Sequence, residues 1–478
     1  MSSNQQDEAT AVVVAGGGPV GVTLSILLSN YGIDNVVVER DTAVHPLPRA
    51  ALIDGELVRA LVQHGLGDGL APLLTPIRTV EYVDAEGARL QGGDLPLGSA
   101  FGGLDPASMH YQPELEAFLR SEMLARGAQF IEGAPFTGVD VSSTDSVSLQ
   151  LADGRTVAGR YLVACDGASS TVRRSLGIGW EDLGFDQDWL VIDIEVNDRA
   201  TCGLPDVARQ VCDPKRPVTM VSGHGRYYRW EMQLQPGEDP VEMNRPEHIW
   251  SMLSRWISPD DARLVRSAPY RFHAVVASSM RSGRVLLAGD AGHQMPPFMG
   301  QGLNSGMRDA LNAAWKLKWV LEGWSGDRLL DTYSAERCEH SRTVVERSVD
   351  AGRLIDQYAG RQSHGIVPRG NYGGDRPLPR YSSGIVWGNH PKVGTPFPAW
   401  HRVADRIPSS PTMTVVSSVV TDVELPTSPR PWRAASLERS AMYDSDHVVI
   451  RPDGWVAAVC SSAELGQALR DLEALLAG

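Results

Sequence analysis

The 478-residue sequence predicts an α/β protein with an inserted antiparallel sheet and a small α/β appendage at its carboxyl end. Three observations lead to this fold class. Residues 11–40 show a strand, a glycine turn, a helix and a second strand. Between about residues 189 and 277 the apolar pattern becomes strand-like, and the chain closes with a hairpin and a helix. A chain of this length exceeds one hydrophobic core, so several domains are expected.

The turn within residues 11–40 carries the spacing G-x-G-x-x-G. Gly16 allows the chain to turn sharply, Gly18 allows the backbone to approach a pyrophosphate, and Gly21 allows the helix to pack on the strand. The helix would point its free N–H groups at the phosphates, and Glu39 can accept a ribose hydroxyl. This unit therefore predicts a Rossmann-like dinucleotide site.

A loop punctuated by prolines follows and leads into a helix at about residues 55–64. Arg49 lies in this loop, near the carboxyl ends of the first strands, where ligands of open α/β sheets bind. Asp54 directly precedes the helix, and an N-cap and a functional role fit it equally well.

Two hairpins and a helix are predicted next. Alternation over residues 79–91 indicates a hairpin that starts a second sheet, and residues 113–127 have helical spacing. A further hairpin through Asp153–Gly154 returns the chain to the first domain, where Asp166 follows the last strand.

The apolar strand at residues 284–290 brings the chain back once more. Gly300 and Gly302 precede a helix that starts at Leu303 and Asn304. The free N–H groups of this helix start suit a ring that becomes negatively charged on reduction, as an isoalloxazine does.

The composition limits the classes of binding partner that are expected. Forty-four basic and 58 acidic residues give a net charge of −14, which argues against nucleic acid or an anionic membrane. The five cysteines show neither C-x-x-C nor metal-ligand spacing, so no metal and a reduced, cytoplasmic setting are expected. No run of 18 apolar residues predicts a membrane span.

Three segments together resemble the flavin motifs of single-component FAD-dependent aromatic hydroxylases, the group of para-hydroxybenzoate and phenol hydroxylases. These are GGGPVG with Glu39, CDGASSTVR, and RVLLAGDAGHQMPPFMGQGLNSGMRDALNAAWKL. The sequence is most similar to the 3-(3-hydroxyphenyl)propionate hydroxylase-like branch, through PRA at Arg49, the run from Gln112 to Glu116, RPVT, RWE and the Tyr333–Arg337 run. The resemblance covers about residues 10–345.

The resemblance implies bound FAD, with NADH or NADPH as a transient reductant and the choice between the two left open. The implied FAD-binding residues are Gly16, Gly18, Pro19, Gly21, Glu39, Arg40, Arg49, Gln112, Asp166, Asp290, Gly300, Gly302, Leu303 and Asn304. For Asp166 a turn and helix cap is an equal alternative.

The resemblance also implies the reaction. NAD(P)H would reduce FAD, O2 would form a flavin C4a-hydroperoxide, and its terminal oxygen would pass to a phenol or another electron-rich aromatic ring. Because phenolate reacts faster than phenol, a base is expected, with Asp54 as the first candidate, then Tyr227 and His110. Pro297 would lie beside the reacting flavin carbon. The expected substrate wall consists of His224, Trp230, Met295, Phe298 and Met299.

The domain division follows from the same motifs. It comprises a discontinuous FAD-binding domain (1–78, 106–186 and 278–362), a substrate-binding sheet domain (79–105 and 187–277), and a linker with a reduced thioredoxin-like region (363–478). A homodimer is left open.

Two other functions remain open at this stage. The first is a Baeyer–Villiger or ring-modifying flavin monooxygenase acting on a polyketide-like ketone, because fold does not fix chemistry. The second is a flavin-binding protein without turnover. The absence of a phenol-activating base would favour the first, and the absence of substrate-stimulated NAD(P)H oxidation would favour the second.

Overall fold

The computed structural model describes residues 10–98, 102–361, 379–403, 410–419 and 423–478. The strands in these ranges are β1 (Thr10–Ala15), β2 (Asn35–Val38), β3 (Leu52–Asp54), β4 (Thr75–Pro76), β5 (Thr79–Val83), β6 (Arg89–Asp94), β7 (Ala107–Met109), β8 (Gln129–Ile131), β9 (Phe136–Asp140), β10 (Val147–Leu151), β11 (Thr156–Ala164), β12 (Trp180–Val196), β13 (Ala208–Val211), β14 (Val218–Ser222), β15 (Tyr227–Gln233), β16 (Ala262–Ala277), β17 (Arg281–Ser282), β18 (Val285–Leu287), β19 (His293–Gln294), β20 (Met413–Ser417), β21 (Trp432–Ser436), β22 (His447–Ile450) and β23 (Val456–Cys460). The helices are α1 (Pro19–Asn30), α2 (Gly55–Leu61), α3 (Gly67–Leu70), α4 (Gln112–Ala125), α5 (Thr171–Ser175), α6 (Pro240–Met243), α7 (Pro246–Leu253), α8 (Gly302–Leu321), α9 (Leu329–Tyr358), α10 (Trp400–Val403) and α11 (Leu465–Ala477).

The first sheet has the strand order β17-β18-β11-β1-β2-β8, and β10 and β9 extend it from β11. β1 pairs in parallel with β2 and β11, and β11 pairs in parallel with β18. The central strands are continuous valine runs, since helices α1 and α8 cover one face and a second apolar cluster covers the other. This arrangement confirms the predicted Rossmann-like domain.

The second sheet has the order β19-β16-β12-β15-β14-β13-β5-β6. Most of its neighbouring strands are antiparallel, but β5 joins β13 in parallel. Strands from both segments assigned to the substrate domain thus lie in one sheet, although β12 already begins at Trp180, before the expected boundary at residue 187. The confirmed fold class therefore includes the inserted sheet, while the domain boundaries remain a prediction.

A small sheet has the order β3-β7-β4, and its apolar side chains pack with Val80, Ala208 and Val221 of the second sheet. Its strand β3 pairs antiparallel with β7 and ends at Asp54, directly before α2. The loop at residues 48–51 directly precedes β3, so its carboxyl end is held in place by this strand pairing.

The carboxyl-terminal region forms a four-stranded sheet, β21-β20-β22-β23, with helix α11. It contains the predicted hairpin and helix, and two further strands that the pattern did not indicate. Arg451 from this region and Lys316 from α8 both bind Glu336 of α9, at 2.9 and 2.8 Å, and all three side chains are fully buried. Residues 362–378 of the expected linker lie outside the described residues.

The described helices include none with the length and apolarity needed to cross a membrane. Across the same ranges, no group of three His, Cys, Asp or Glu side chains is arranged to hold a metal ion.

Candidate active site

Two connected cavities lie at the carboxyl edge of the first sheet. The larger, of about 1010 Å³, is bounded on its far side by the second sheet. The smaller, of about 320 Å³, extends from the first glycine turn toward Glu39. Both are lined by Gly18, Pro19, Arg49 and Gln112, so they form one elongated space.

The glycine turn has the geometry of a phosphate cradle. Gly16 has φ +107°, and a Cβ on Gly21 would lie 2.0 Å from the Gly16 carbonyl oxygen, so both positions require glycine. A Cβ on Gly18 would meet nothing within 4 Å, since this position faces the cavity. The turn is thus close-packed at Gly16 and Gly21 and open to the cavity at Gly18, which fits a ligand that contacts the backbone at Gly18.

Glu39 fixes this turn to the end of β2. Its Oε2 accepts the Gly17 N–H at 2.6 Å, and its Oε1 accepts the Asp41 N–H at 3.0 Å. The carboxylate also lines the smaller cavity, where Arg40 lies at the rim, 3.6 Å from Asp41.

Gln112 shapes the loop that carries Arg49. Its Oε1 accepts the backbone N–H groups of Arg49 and Ala50, at 3.1 and 2.6 Å. Gln112 begins helix α4, so the helix start holds the loop against the junction of the two cavities.

Asp166 also lines the smaller cavity. Its Oδ2 accepts the Val172 N–H of α5 at 3.1 Å, whereas the N-cap of this helix is Ser170, whose hydroxyl accepts the Arg173 N–H at 2.9 Å. Burial raises the pKa of this carboxyl. Both readings of Asp166 remain compatible with its position.

The third motif forms the floor of the larger cavity. Asp290, Gly300, Gly302 and Leu303 line it, and Gly300 has φ +63°. Helix α8 begins at Gly302, so its first N–H groups have no partner within the helix. The positive end of the helix is therefore directed at this part of the cavity.

The side chain of Asn304 does not line the larger cavity. It is fully buried, accepts the Asp54 N–H at 2.8 Å, and donates to the carbonyls of Gly300 and Leu52, at 2.7 and 3.2 Å. The expected contact to a flavin edge would therefore have to come from its backbone N–H.

A buried carboxylate supports the turn beside Asp290. Asp309 accepts the Gly289 N–H at 2.8 Å and contacts His293 Nε2 at 2.8 Å and Arg337 Nε at 2.5 Å. Arg337 and His293 hold the pKa of Asp309 below its usual value despite burial. Asp309 thus links Gly289 and His293 of the third motif with Arg337 of α9, and these contacts fix the turn behind the cavity.

The first candidate base lies outside the lining of the larger cavity. Asp54 Oδ2 accepts hydrogen bonds from Arg308 Nη2 at 2.6 Å and Gln301 Nε2 at 2.9 Å, and Arg308 also binds Glu56 at 2.5 Å. Asp54 is 6% exposed and makes no side-chain cap of α2. The structure thus gives Asp54 a place in a buried ion-pair cluster, next to Gln301 of the cavity lining, and its role as a base remains a prediction.

The other two candidate bases are also absent from the lining of either cavity. His110 is buried, and burial together with the nearby Arg229 lowers its pKa to about 3. Tyr227 stacks on Tyr111, with ring centroids 4.0 Å apart. The roles of Tyr227 and His110 as bases therefore remain predictions.

The expected substrate wall is divided. Met295, Pro297, Phe298 and Met299 line the larger cavity. His224 instead contacts Thr75 Oγ1 at 2.9 Å at the small sheet. Trp230 is fully buried in the core on the opposite face of the second sheet, which corrects its assignment to the wall.

Sequence reasoning missed the polar face of the second sheet. Arg229 Nε donates to Asp193 Oδ1 at 2.7 Å, and its Nη1 donates to the Arg49 carbonyl at 2.6 Å. Glu231 lies on the same face of β15, and both residues line the larger cavity. The alternation in YYRWEMQ could have revealed this, since Arg229 and Glu231 must face away from Trp230.

The comparisons with known proteins agree with this geometry. The family described as FAD binding domain matches residues 9–348. A probable NADH-specific resorcinol 4-hydroxylase of Rhodococcus jostii (strain RHA1) is 37% identical over 73% of this chain and 66% of its own length. A 3-(3-hydroxy-phenyl)propionate/3-hydroxycinnamic acid hydroxylase of Escherichia coli (strain SMS-3-5 / SECEC) is 33% identical over 73% of this chain and 63% of its own length. The matches therefore span less than two thirds of these two relatives.

Solved structures share the fold of all or most of this chain. Aklavinone-11 hydroxylase in complex with FAD and aklavinone has a TM-score of 0.80, with 21% identity and coverage of 100% of both chains. The p-nitrophenol 4-monooxygenase PnpA of Pseudomonas putida DLL-E4 has a TM-score of 0.66, with 24% identity over 73% of this chain and 89% of that chain. At these identities the likeness concerns the fold.

Proposed function

The chain belongs to the FAD binding domain family, and on this premise we propose that it is a flavoprotein monooxygenase that hydroxylates a phenolic ring with O2 and NADH. The observation that carries the proposal is the elongated space that runs from the glycine turn to the larger cavity at the start of α8. We call the larger cavity the chamber; one part of its wall is apolar and another part is the polar face of the second sheet. A dinucleotide cofactor in the narrow part would leave the chamber for an aromatic substrate.

The residues present fit FAD. Gly18 and the start of α1 would receive the pyrophosphate, and Glu39 and Arg40 would lie at the adenosine end. Asp290 would face the ribityl chain, and the first N–H groups of α8 would face the flavin ring. When bound, FAD would supply the redox chemistry with NADH and O2.

The chain itself would bind the substrate and keep water out. The chamber wall contains Met295, Phe298, Met299 and Phe272, and Phe298 packs in turn on Trp189 with ring centroids 5.0 Å apart. An apolar enclosure of this kind excludes water from the reacting groups and strengthens the few polar contacts inside it.

The substrate class and the reductant are taken from relatives that are at least 33% identical. The names of these relatives specify resorcinol, 3-(3-hydroxy-phenyl)propionate and 3-hydroxycinnamic acid as substrates, and one of them specifies NADH. We therefore assign a meta-substituted phenol as the substrate class. Since NADH is an intracellular reductant, the proposal also assigns the enzyme to the cytoplasm.

The proposal is tested with purified protein loaded with FAD. NADH oxidation is followed with resorcinol, with 3-(3-hydroxyphenyl)propionate and with cyclic aryl ketones, and products are analysed by mass spectrometry under ¹⁸O2. The expected result is phenol-stimulated NADH oxidation and a product with one ¹⁸O atom in a new hydroxyl group.

Each rival function has its own signature in this experiment. Esters or lactones from the ketones, with no hydroxylated phenol, would replace the proposal by the Baeyer–Villiger reaction. FAD binding without substrate-stimulated NADH oxidation would identify a flavin-binding protein without turnover.

A further inference from the structure

Strand β15 presents two different faces. Tyr228, Trp230 and Met232 are buried in the core behind the second sheet. Arg229 and Glu231 point the other way and line the larger cavity. A carboxyl group is thus part of the wall of the proposed substrate chamber.

The neighbours of Glu231 leave one oxygen of its carboxyl group, Oε2, without a donor among the described residues. Across the sheet it lies between Val191 of β12 and Thr219 of β14. The Thr219 hydroxyl donates to Gln210 Oε1 at 2.6 Å instead. Glu231 is 5% exposed, and its Oε2 is buried with no hydrogen-bond partner among the described residues. Buried carboxylate oxygens without a partner are rare. Because Glu231 also lines the larger cavity, its carboxyl group is suited to receive a donor from a ligand there.

The nearby cations are engaged elsewhere. Arg229 binds Asp193 Oδ1 at 2.7 Å and the Arg49 carbonyl at 2.6 Å. Arg266 Nη1 lies 3.5 Å from Asp193 Oδ2. The guanidinium groups of Arg229 and Arg266 therefore both pair with Asp193, and among the described residues neither makes an ion pair with Glu231.

The electrostatic surroundings support a role in proton transfer. Burial raises the pKa of Glu231 to about 7, with Asp193 adding to the rise and Arg229 and Arg266 opposing it. A carboxyl group with a pKa near neutrality can both accept a proton and return it. Other titratable side chains of the chamber wall are Arg49, Tyr82, Cys165, Tyr270, Arg271, His273 and Asp290.

We infer that Glu231 is the catalytic base that binds and deprotonates the phenolic hydroxyl of the substrate, with Thr219 and Gln210 beside it as the polar strip that orients this hydroxyl. The inference rests on the proposed hydroxylase function. It replaces Asp54, Tyr227 and His110, none of which lines the chamber.

The proposed role consists of two proton transfers. The O–H bond of the phenol breaks, its proton moves to Glu231, and the electron pair stays on the phenol oxygen, which makes the ring electron-rich. After oxygenation the ring carbon that carries the new hydroxyl group loses its hydrogen as a proton to solvent, the ring becomes aromatic again, and Glu231 returns its proton to the phenol oxygen. Below a pH of about 7 Glu231 would already hold a proton, so the rate should fall on the acid side.

The test compares Glu231→Gln, Glu231→Asp and Glu81→Gln with the wild type, all loaded with FAD and supplied with NADH, O2 and resorcinol. Glu81 is a matched control, because it is a buried carboxylate of the same sheet that binds Arg89 and Arg209 and does not line the chamber. FAD content and thermal unfolding report on folding. The binding of 1,3-dimethoxybenzene, which has no hydroxyl group, reports on the shape of the chamber.

Removal of a general base commonly reduces the rate by about 10²–10⁴-fold, so Glu231→Gln should reduce kcat/KM for resorcinol by about this factor and abolish the acid limb of its pH profile. Glu231→Asp should keep the acid limb with an intermediate rate, and Glu81→Gln should keep both rate and profile. All variants should bind 1,3-dimethoxybenzene as the wild type does.

Two failures are distinguishable. If the wild type hydroxylates resorcinol and Glu231→Gln has the same rate and acid limb, Glu231 is not the base, while the proposed function stands. If the wild type hydroxylates no phenol, the proposed function fails and the inference falls with it.

Discussion

The substitution Gly18→Ala tests the proposed FAD site without disturbing the fold of the glycine turn. Gly18 has φ −74° and ψ 178°, an extended conformation that alanine adopts freely. The added methyl group meets no protein atom within 4 Å and projects into the cavity where the pyrophosphate would lie. The variant should therefore fold like the wild type and bind FAD less tightly.

The magnitude follows from the geometry. Alanine restricts the unfolded chain but is a poorer N-cap than glycine for α1, and these effects offset one another, so the stability of the FAD-free protein should change by less than about 1 kcal/mol. Overpacking against the ligand costs about 1–3 kcal/mol, which corresponds to a rise of about 5- to 150-fold in the Kd of FAD.

The assay measures unfolding of the FAD-free protein in urea and FAD binding by quenching of flavin fluorescence. Gly21→Ala is the matched control, because its methyl group would lie 2.0 Å from the Gly16 carbonyl oxygen and should destabilise the FAD-free protein itself. An unchanged Kd for Gly18→Ala would refute the assignment of the phosphate site. A large loss of stability in the FAD-free Gly18→Ala protein would refute the geometry of the turn.

The remaining predictions concern the buried charges. Glu336→Gln leaves Lys316 and Arg451 without their shared anion and should cost about 3–5 kcal/mol of unfolding free energy in urea, whereas a loss below about 1 kcal/mol would contradict a stabilising cluster. Since these cations lower the pKa of Glu336 from 4.5 to about 2, the wild type should lose stability as the pH falls from 4.5 to 2, and Glu336→Gln should lack this part of the slope; an equal slope in both would contradict it. Asp54→Asn weakens the cluster with Arg308, so it should lower thermal stability but keep the acid limb of the kcat/KM profile with resorcinol; loss of that limb would restore Asp54 as the base.

The resemblance to FAD-dependent aromatic hydroxylases is confirmed at the level of the family, and so is the fold class. Both depended on local features. The valine strands and the glycine spacing around Gly16 define the βαβ unit through short-range sterics and periodicity. The helix that follows Gly302 and the hairpin through Asp153–Gly154 were predicted for the same reason.

The roles of single side chains could be predicted only in part. Gly21 and Glu39 contact the glycine turn itself, so their geometry follows from nearby residues. At Gly16 the positive φ is local, but an added Cβ would also lie 2.4 Å from the carbonyl oxygen of Cys165, which is distant in sequence. Asp54 and Asn304 have partners about 250 positions away in the chain, at Arg308 and at β3 respectively. Nothing in the residues around Asp54 indicated whether its carboxyl group would face a cavity or a buried guanidinium.

The sequence by itself determined the dinucleotide-binding unit, the family and the inserted sheet, because turn chemistry and apolar periodicity act over a few residues. Only the tertiary structure decided which polar groups meet in the chamber. Glu231 faces Thr219 because β14 and β15 pair in one register, and Arg229 reaches the loop at Arg49 because the second sheet packs against the first domain. Such contacts depend on how distant segments pack, and the local pattern of either segment does not contain that information.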